Sequence, residues 1–133
     1  MVLILWALLA CGGAPPANGH DAPGAEQSAG KRQDADAAAL AKALEGGAPL
    51  LDVRTPREFQ QGHVEGAVNL PMGFSLDDPT LQGLDKSKPV YVICAVGGRS
   101  SAAADQLAAA GYQAVNVRGG TRAWVGAGRP VVK

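Results

Sequence analysis

From Asp34 onward the chain alternates short, almost wholly apolar runs with segments of helical spacing that stop at glycine, and this alternation restricts its fold more than any other feature. Asp34 or Asp36 can cap a first helix whose apolar positions Ala37, Leu40, Ala41 and Leu44 keep helical spacing, with Gly46-Gly47 as its stop. Leu50-Leu51-Asp52-Val53-Arg54 then reads as a buried strand. Thr55-Pro56-Arg57-Glu58 is a capping box with proline at the first helical position, opening a helix of two turns or fewer that Gly62 ends. A second strand is expected over residues 67–70, halted by Pro71. Residues 72–89 carry turn formers around isolated apolar positions, with room for one helical turn. Val90-Tyr91-Val92-Ile93-Cys94 is the most strand-like run in the chain. Ser100 to Ala110 is an alanine-rich helix closed by Gly111, Ala114 to Val117 is another strand, and Gly119-Gly120-Thr121 opens a last short helix containing Trp124. Strands that alternate with helices imply a parallel sheet flanked by helices on both faces, so the expected fold class is α/β.

A chain of 133 residues has room for one such domain. Its two cysteines, Cys11 and Cys94, lie in unlike contexts, so a disulfide framework is not expected and stability must come from a packed core. Twelve basic and twelve acidic side chains, scattered rather than clustered, give a formal net charge of zero and argue against a nucleic-acid binder. The residues before the domain differ in kind. Val2 to Leu9 is apolar, too short to span a bilayer as a helix of about 20 residues but suited to the core of an export signal. Leu8-Leu9-Ala10-Cys11 resembles the bacterial lipobox, although no Lys or Arg precedes it. Residues 1–10 are therefore expected to be a lipoprotein-type signal peptide, and Cys11 the lipidated residue. Residues 11–33, rich in Gly, Ala and Pro, read as a flexible tether, and 34–133 as the folded domain. The expected location is outside the cytoplasm, held to the bacterial cell envelope only by the lipid and facing the periplasm. His20, in the tether, reads as a solvated residue because no second metal ligand is near it.

In an open parallel sheet, ligands bind outside the carboxyl ends of the strands. Cys94 occupies that position, followed by Ala95-Val96-Gly97-Gly98-Arg99 and a helix start near Ser100. Two glycines let successive N–H groups turn inward as an anion nest, the helix N-terminus adds partial positive charge, and Arg99 adds a full charge with bidentate geometry for an oxyanion. Each favours thiolate over thiol, which a nucleophilic cysteine requires. A buried core cysteine is the plainer alternative, since free cysteine is often found in cores. Such a cysteine has no use for this loop.

Here the sequence resembles the rhodanese family of sulfurtransferases. Leu51-Asp52-Val53-Arg54, Glu58-Phe59, and Gly62-His63-Val64-Glu65-Gly66-Ala67-Val68-Asn69-Leu70-Pro71 look like its N-terminal signature. Cys94 to Ser100 looks like its active-site loop, and Gly119-Gly120 with Trp124 like the segment near its end. The resemblance covers residues 34–133 and implies a monomeric single-domain member with a central parallel sheet. It implies that Cys94 takes sulfur from a small donor, thiosulfate or a persulfide, as Cys–S–S⁻ and yields it to a thiol or cyanide acceptor, with no metal or organic cofactor. Cys94 and Arg99 would carry the chemistry, and Ala95, Val96, Gly97, Gly98 and Ser100 would bind the donor. Asp52, Arg54 and Glu58 are expected to form one polar network beneath the loop, and His63 to be a hydrogen-bonded structural residue. Phe59 and Trp124 are expected in the core, while Arg118 and Arg122 add positive potential beside the pocket.

Two rivals stand beside this reading. Phosphatases and arsenate reductases of the same fold use a longer loop, whereas only four residues separate Cys94 from Arg99. A rhodanese-like module that carries or senses sulfur without catalysis is the other, although such modules often lack the cysteine.

Overall fold

Ten elements follow one another in the computed structural model, which describes residues 32–133. They are β1 (Gln33–Ala35), α1 (Ala37–Glu45), β2 (Leu50–Asp52), α2 (Pro56–Gln61), β3 (Val68–Asn69), α3 (Pro79–Gln82), β4 (Pro89–Ile93), α4 (Gly98–Ala109), β5 (Gln113–Val117) and α5 (Gly120–Gly126). The apolar leader, Cys11 and the tether up to residue 31 lie outside the described residues. All strand pairs are parallel, in the order β1-β5-β4-β2-β3.

Alternation along the strands divides the core into two layers. Leu51, Val90, Val92 and Cys94 pack with Leu81 of α3 and Ala103, Ala104, Leu107 and Ala108 of α4. Leu50, Ile93 and Val117 face the other way, onto Ala37 and Leu40 of α1 and Trp124 of α5. Helices thus cover both faces, as a parallel sheet requires. Leu40, Leu81, Ile93 and Leu107 are fully buried, and each stabilises the fold by roughly 1.5–3 kcal/mol relative to an exposed side chain.

Local chemistry fixes the ends of the elements. Asp36 is the cap of α1, its carboxylate accepting the Ala39 N–H at 2.8 Å, while Asp34 lies in β1. Thr55 and Glu58 complete the capping box of α2 in both directions. β2 stops at Asp52 rather than Arg54, because the Asp52 carboxylate takes the Arg54 N–H at 3.1 Å and turns the chain there. β1 is a strand that apolar patterning does not reveal: its residues are Gln-Asp-Ala, paired only with β5 at the sheet edge. Since every strand runs in one direction, the ends of β2, β4 and β5 converge on one rim of the sheet.

Candidate active site

Cys94 directly follows β4 on that rim, and the segment Ala95–Gly97 curls over its sulfur before α4 begins at Gly98, two residues earlier than the alanine pattern implies. Gly97 sits at φ +109°, a conformation other residues rarely adopt, and its N–H donates to Cys94 Sγ at 3.0 Å. The Ser100 hydroxyl lies 3.3 Å from the same sulfur. Burial pushes the Cys94 thiol up. The Ser100 hydroxyl and the backbone N–H groups of Ser100, Gly97 and Val96 outweigh it, so the thiol is held below its ordinary value. Cys94 is 0 % exposed and belongs to the core layer beneath α4, so the plain expectation of a buried cysteine is met as well. The ring of donors is what a core cysteine does not need.

The Val96 amide points inward because the carbonyl of its own peptide is pulled outward. Thr121 N–H and Arg122 N–H, at the start of α5, donate to Cys94 O at 2.8 Å and Ala95 O at 3.0 Å, and the Thr121 hydroxyl adds a bond to Cys94 O at 3.1 Å. A trans peptide sends its N–H opposite to its C=O, so anchoring the Ala95 carbonyl on α5 turns the Val96 N–H to the other side. Gly119 and Gly120 make this close approach, both in the left-handed region, at φ +75° and +58°. Thr121 was not among the residues that the sequence singles out for the site.

The charged residues pair differently from expectation. Asp52 and Arg54 form a buried ion pair, Arg54 Nη2 reaching Asp52 Oδ2 at 2.7 Å and the Gly62 carbonyl at 2.8 Å. Glu58 does not join them. Its carboxylate receives both η nitrogens of Arg99, each at 2.8 Å, and so spans from α2 to α4. The capping box explains the choice: Oε2 also accepts the Thr55 N–H at 2.9 Å, which aims the carboxylate at the start of α4. These bonds, that from Arg99 foremost, lower the Glu58 carboxyl to about 2. Arg99 is therefore occupied rather than bare toward an oxyanion. Arg122 has no carboxylate within ion-pair distance among the described residues, and it lines a pocket of about 500 Å³ beside the loop with Arg54, Ala95, Val96, Thr121 and Val125.

His63 stands apart from the sulfur. Its Nδ1 is 2.8 Å from the Phe59 carbonyl, its ring stacks on Phe59 with centroids 3.7 Å apart, and its backbone pairs with Val132. Gly98 and the Val96 side chain are exposed, with Val96 at the pocket rim. Trp124 is buried, while Phe59 is only partly so. Two asparagines escaped the sequence reading. Asn69 Nδ2 donates to the carbonyls of Asp52 and Arg54, bracing the end of β2, and Asn116 contacts Ser100. The available signal for Asn116 was a lone polar residue inside the buried run Ala114–Val117.

Known proteins are similar to this chain. A sulfurtransferase of Allochromatium vinosum is 38 % identical over 84 residues, which cover 62 % of this chain and 77 % of that protein. Thiosulfate sulfurtransferase 16 of Arabidopsis thaliana, a chloroplastic protein, is 40 % identical over 91 residues, covering 60 % of this chain and 76 % of that one. Among solved structures, a rhodanese-related protein of Thermoplasma volcanium superposes with a TM-score of 0.66 at 35 % identity, covering 75 % of this chain and 97 % of that one. The family model described as the rhodanese-like domain matches residues 36–127, from the cap of α1 through the end of α5. By that match the chain belongs to the rhodanese-like domain family, whose relatives named here are sulfurtransferases.

Proposed function

We propose that this protein is a sulfurtransferase that moves sulfane sulfur from thiosulfate, or a persulfide donor, to a thiophilic acceptor through a persulfide on Cys94. The observation that supports it best is the sulfur of Cys94 under inward-turned amides, with its thiol lowered in spite of burial. The Cys94 thiolate attacks the outer sulfur of thiosulfate. The donor's S–S bond breaks, sulfite leaves with the electron pair, and Cys–S–S⁻ remains. A thiolate or cyanide then attacks the outer sulfur, and the Cys94 thiolate departs. The amides face the region where charge rests in each half, and their fixed orientation costs no reorganisation during the step. With Arg99 held by Glu58 and Arg54 by Asp52, Arg122 is the arginine of the pocket lining that has no ion pair among the described residues and can attract an anionic donor. Since Cys94 is 0 % exposed, entry of the donor requires loop side chains such as the exposed Val96 to part.

The test is Cys94→Ser in a thiosulfate–cyanide assay. Loss of sulfur transfer with an unchanged fold is expected, because a hydroxyl of similar volume is a far weaker nucleophile. Thiosulfate should add about 32 Da, one sulfur, to Cys94 of the wild type only. An active serine variant, or a wild type that never gains the sulfur, refutes the persulfide.

A further inference from the structure

A chain of polar contacts runs from the Cys94 sulfur through the sheet to its far edge. Ser100 Oγ lies 3.3 Å from Cys94 Sγ, 3.3 Å from the Gly97 carbonyl and 2.6 Å from Asn116 Oδ1. Asn116 Nδ2 in turn donates to Asp34 Oδ1 at 3.1 Å, on β1. Ser100 and Asn116 are 0 % and 4 % exposed, so bulk water does not compete for the proton. A hydroxyl has one proton. An ionised carboxylate only accepts, so Asp34 takes the nitrogen end of the Asn116 amide and leaves its oxygen toward Ser100. That oxygen is the nearest acceptor the hydroxyl has.

We propose that Asn116, oriented by Asp34, is a positioning residue that draws the Ser100 hydroxyl proton away from Cys94 Sγ and so favours the states in which that sulfur carries no charge. Two states qualify. In the neutral thiol, Cys94 S–H donates to the vacant lone pair of Ser100 Oγ. In the persulfide of the proposed reaction, on which this second state rests, the charge sits on the outer sulfur and the inner one needs no hydroxyl donor. The thiolate is different: to serve it, Ser100 must turn its proton from Asn116 and leave a buried amide oxygen without a donor, which costs free energy. Asn116 thus restrains the acidity that the loop amides confer.

The other charged groups around Cys94 are Arg99 of α4, held by Glu58 of α2; Asp52 at the end of β2 with Arg54 just beyond it; and Arg122 of α5. Asp34 of β1 lies beyond Asn116, with Arg32 beside it. Asn116→Ala changes none of these charges. Asp34→Ala removes one, so the two variants must be compared in the presence and absence of the Ser100 hydroxyl.

The experiment measures the rate of Cys94 alkylation by iodoacetamide against pH in the full chain, read by mass spectrometry of the Cys94 peptide. Asn116→Ala should move the midpoint of the profile down, so that alkylation below the wild-type midpoint is about three- to tenfold faster, the worth of roughly one hydrogen bond. Asp34→Ala, at a side chain 40 % exposed on the sheet edge, frees the amide to turn its nitrogen toward Ser100 and should shift the midpoint in the same direction without endangering the fold. In a Ser100→Ala background the Asn116→Ala shift should vanish and the Asp34→Ala shift should shrink. A purely structural Asn116 would lower thermal stability and leave the midpoint in place. A midpoint unmoved by both variants, or an Asn116→Ala shift that persists in full without the hydroxyl, overturns the inference and leaves the sulfur-transfer reading intact. A wild-type thiol that fails to alkylate at any pH overturns both.

Discussion

Gly120 offers the sharpest test of how the loop over Cys94 is held. A methyl group at its α-carbon would collide with the Cys94 carbonyl oxygen and lie 2.6 Å from the carbonyl carbon and oxygen of Ala95. These are backbone atoms, and no side-chain rotation relieves them. Gly120→Ala therefore combines overpacking, at about 1–3 kcal/mol, with a left-handed φ of +58° that costs a residue with a β-carbon roughly 1–2 kcal/mol. About 3 kcal/mol is the expected loss of stability, or a melting temperature lower by roughly 12–24 °C for a domain of this size. Gly66→Ala is the matched control. Its φ is +88° and nothing lies within 4 Å of the added methyl, so only the backbone term of about 1 kcal/mol applies. Urea unfolding followed by circular dichroism measures both. The clash also pushes Cys94 O and Ala95 O off the Thr121 and Arg122 N–H groups, so sulfur transfer from thiosulfate should fall more than about tenfold in folded Gly120→Ala while Gly66→Ala keeps its rate. If the two variants are equally stable and equally active, the close contact between α5 and the loop does not hold the site.

Two further outcomes follow from the ion pairs. The Glu58 carboxyl titrates at about 2 instead of its ordinary 4.5, held down by Arg99 and then by Thr55, so its contribution to stability is complete above pH 4.5 and is lost as the pH falls toward 2. Thermal unfolding across that window should therefore separate Glu58→Gln from wild type at pH 5 to 6, with the gap closing on acidification; a constant gap would refute the linkage. Asp52→Ala leaves the Arg54 guanidinium, in a residue 6 % exposed, without its carboxylate, and should cost about 3–5 kcal/mol in urea unfolding, far more than the paired replacement Asp52→Leu with Arg54→Met.

The strands and helices that apolar periodicity and caps encode, such as β4, β5, α1 and α4, were legible within a residue or two. β1 was not, because Gln33-Asp34-Ala35 has no strand pattern of its own and becomes a strand only by pairing with Val115–Val117. The loop around Cys94 could be read because its ingredients are contiguous: strand end, glycines, helix start. Partners distant in sequence could not. Glu58 and Arg99 are 41 residues apart, and although the capping box with Thr55 sets the direction of the Glu58 carboxylate, only the fold brings Arg99 to it. Asn116 and Asp34 are 82 residues apart, and only the neighbouring positions of β1 and β5 in the sheet bring them together.

The order in which a ribosome releases the chain gives the contact between α5 and the loop a temporal side. When Gly111 has left the ribosome, Cys94, its glycines and all of α4 are outside it, whereas β5, which must lie between β4 and β1, and the two donors of α5 are still inside. A nascent chain at that stage carries the thiol without the anchored carbonyls, so its Val96 amide is not yet held toward the sulfur. The loop takes its final form only once Thr121 and Arg122 have bonded to it. A protease that cuts the finished protein between β5 and α5 would loosen the same contact while leaving every residue of the Cys94 loop covalently in place.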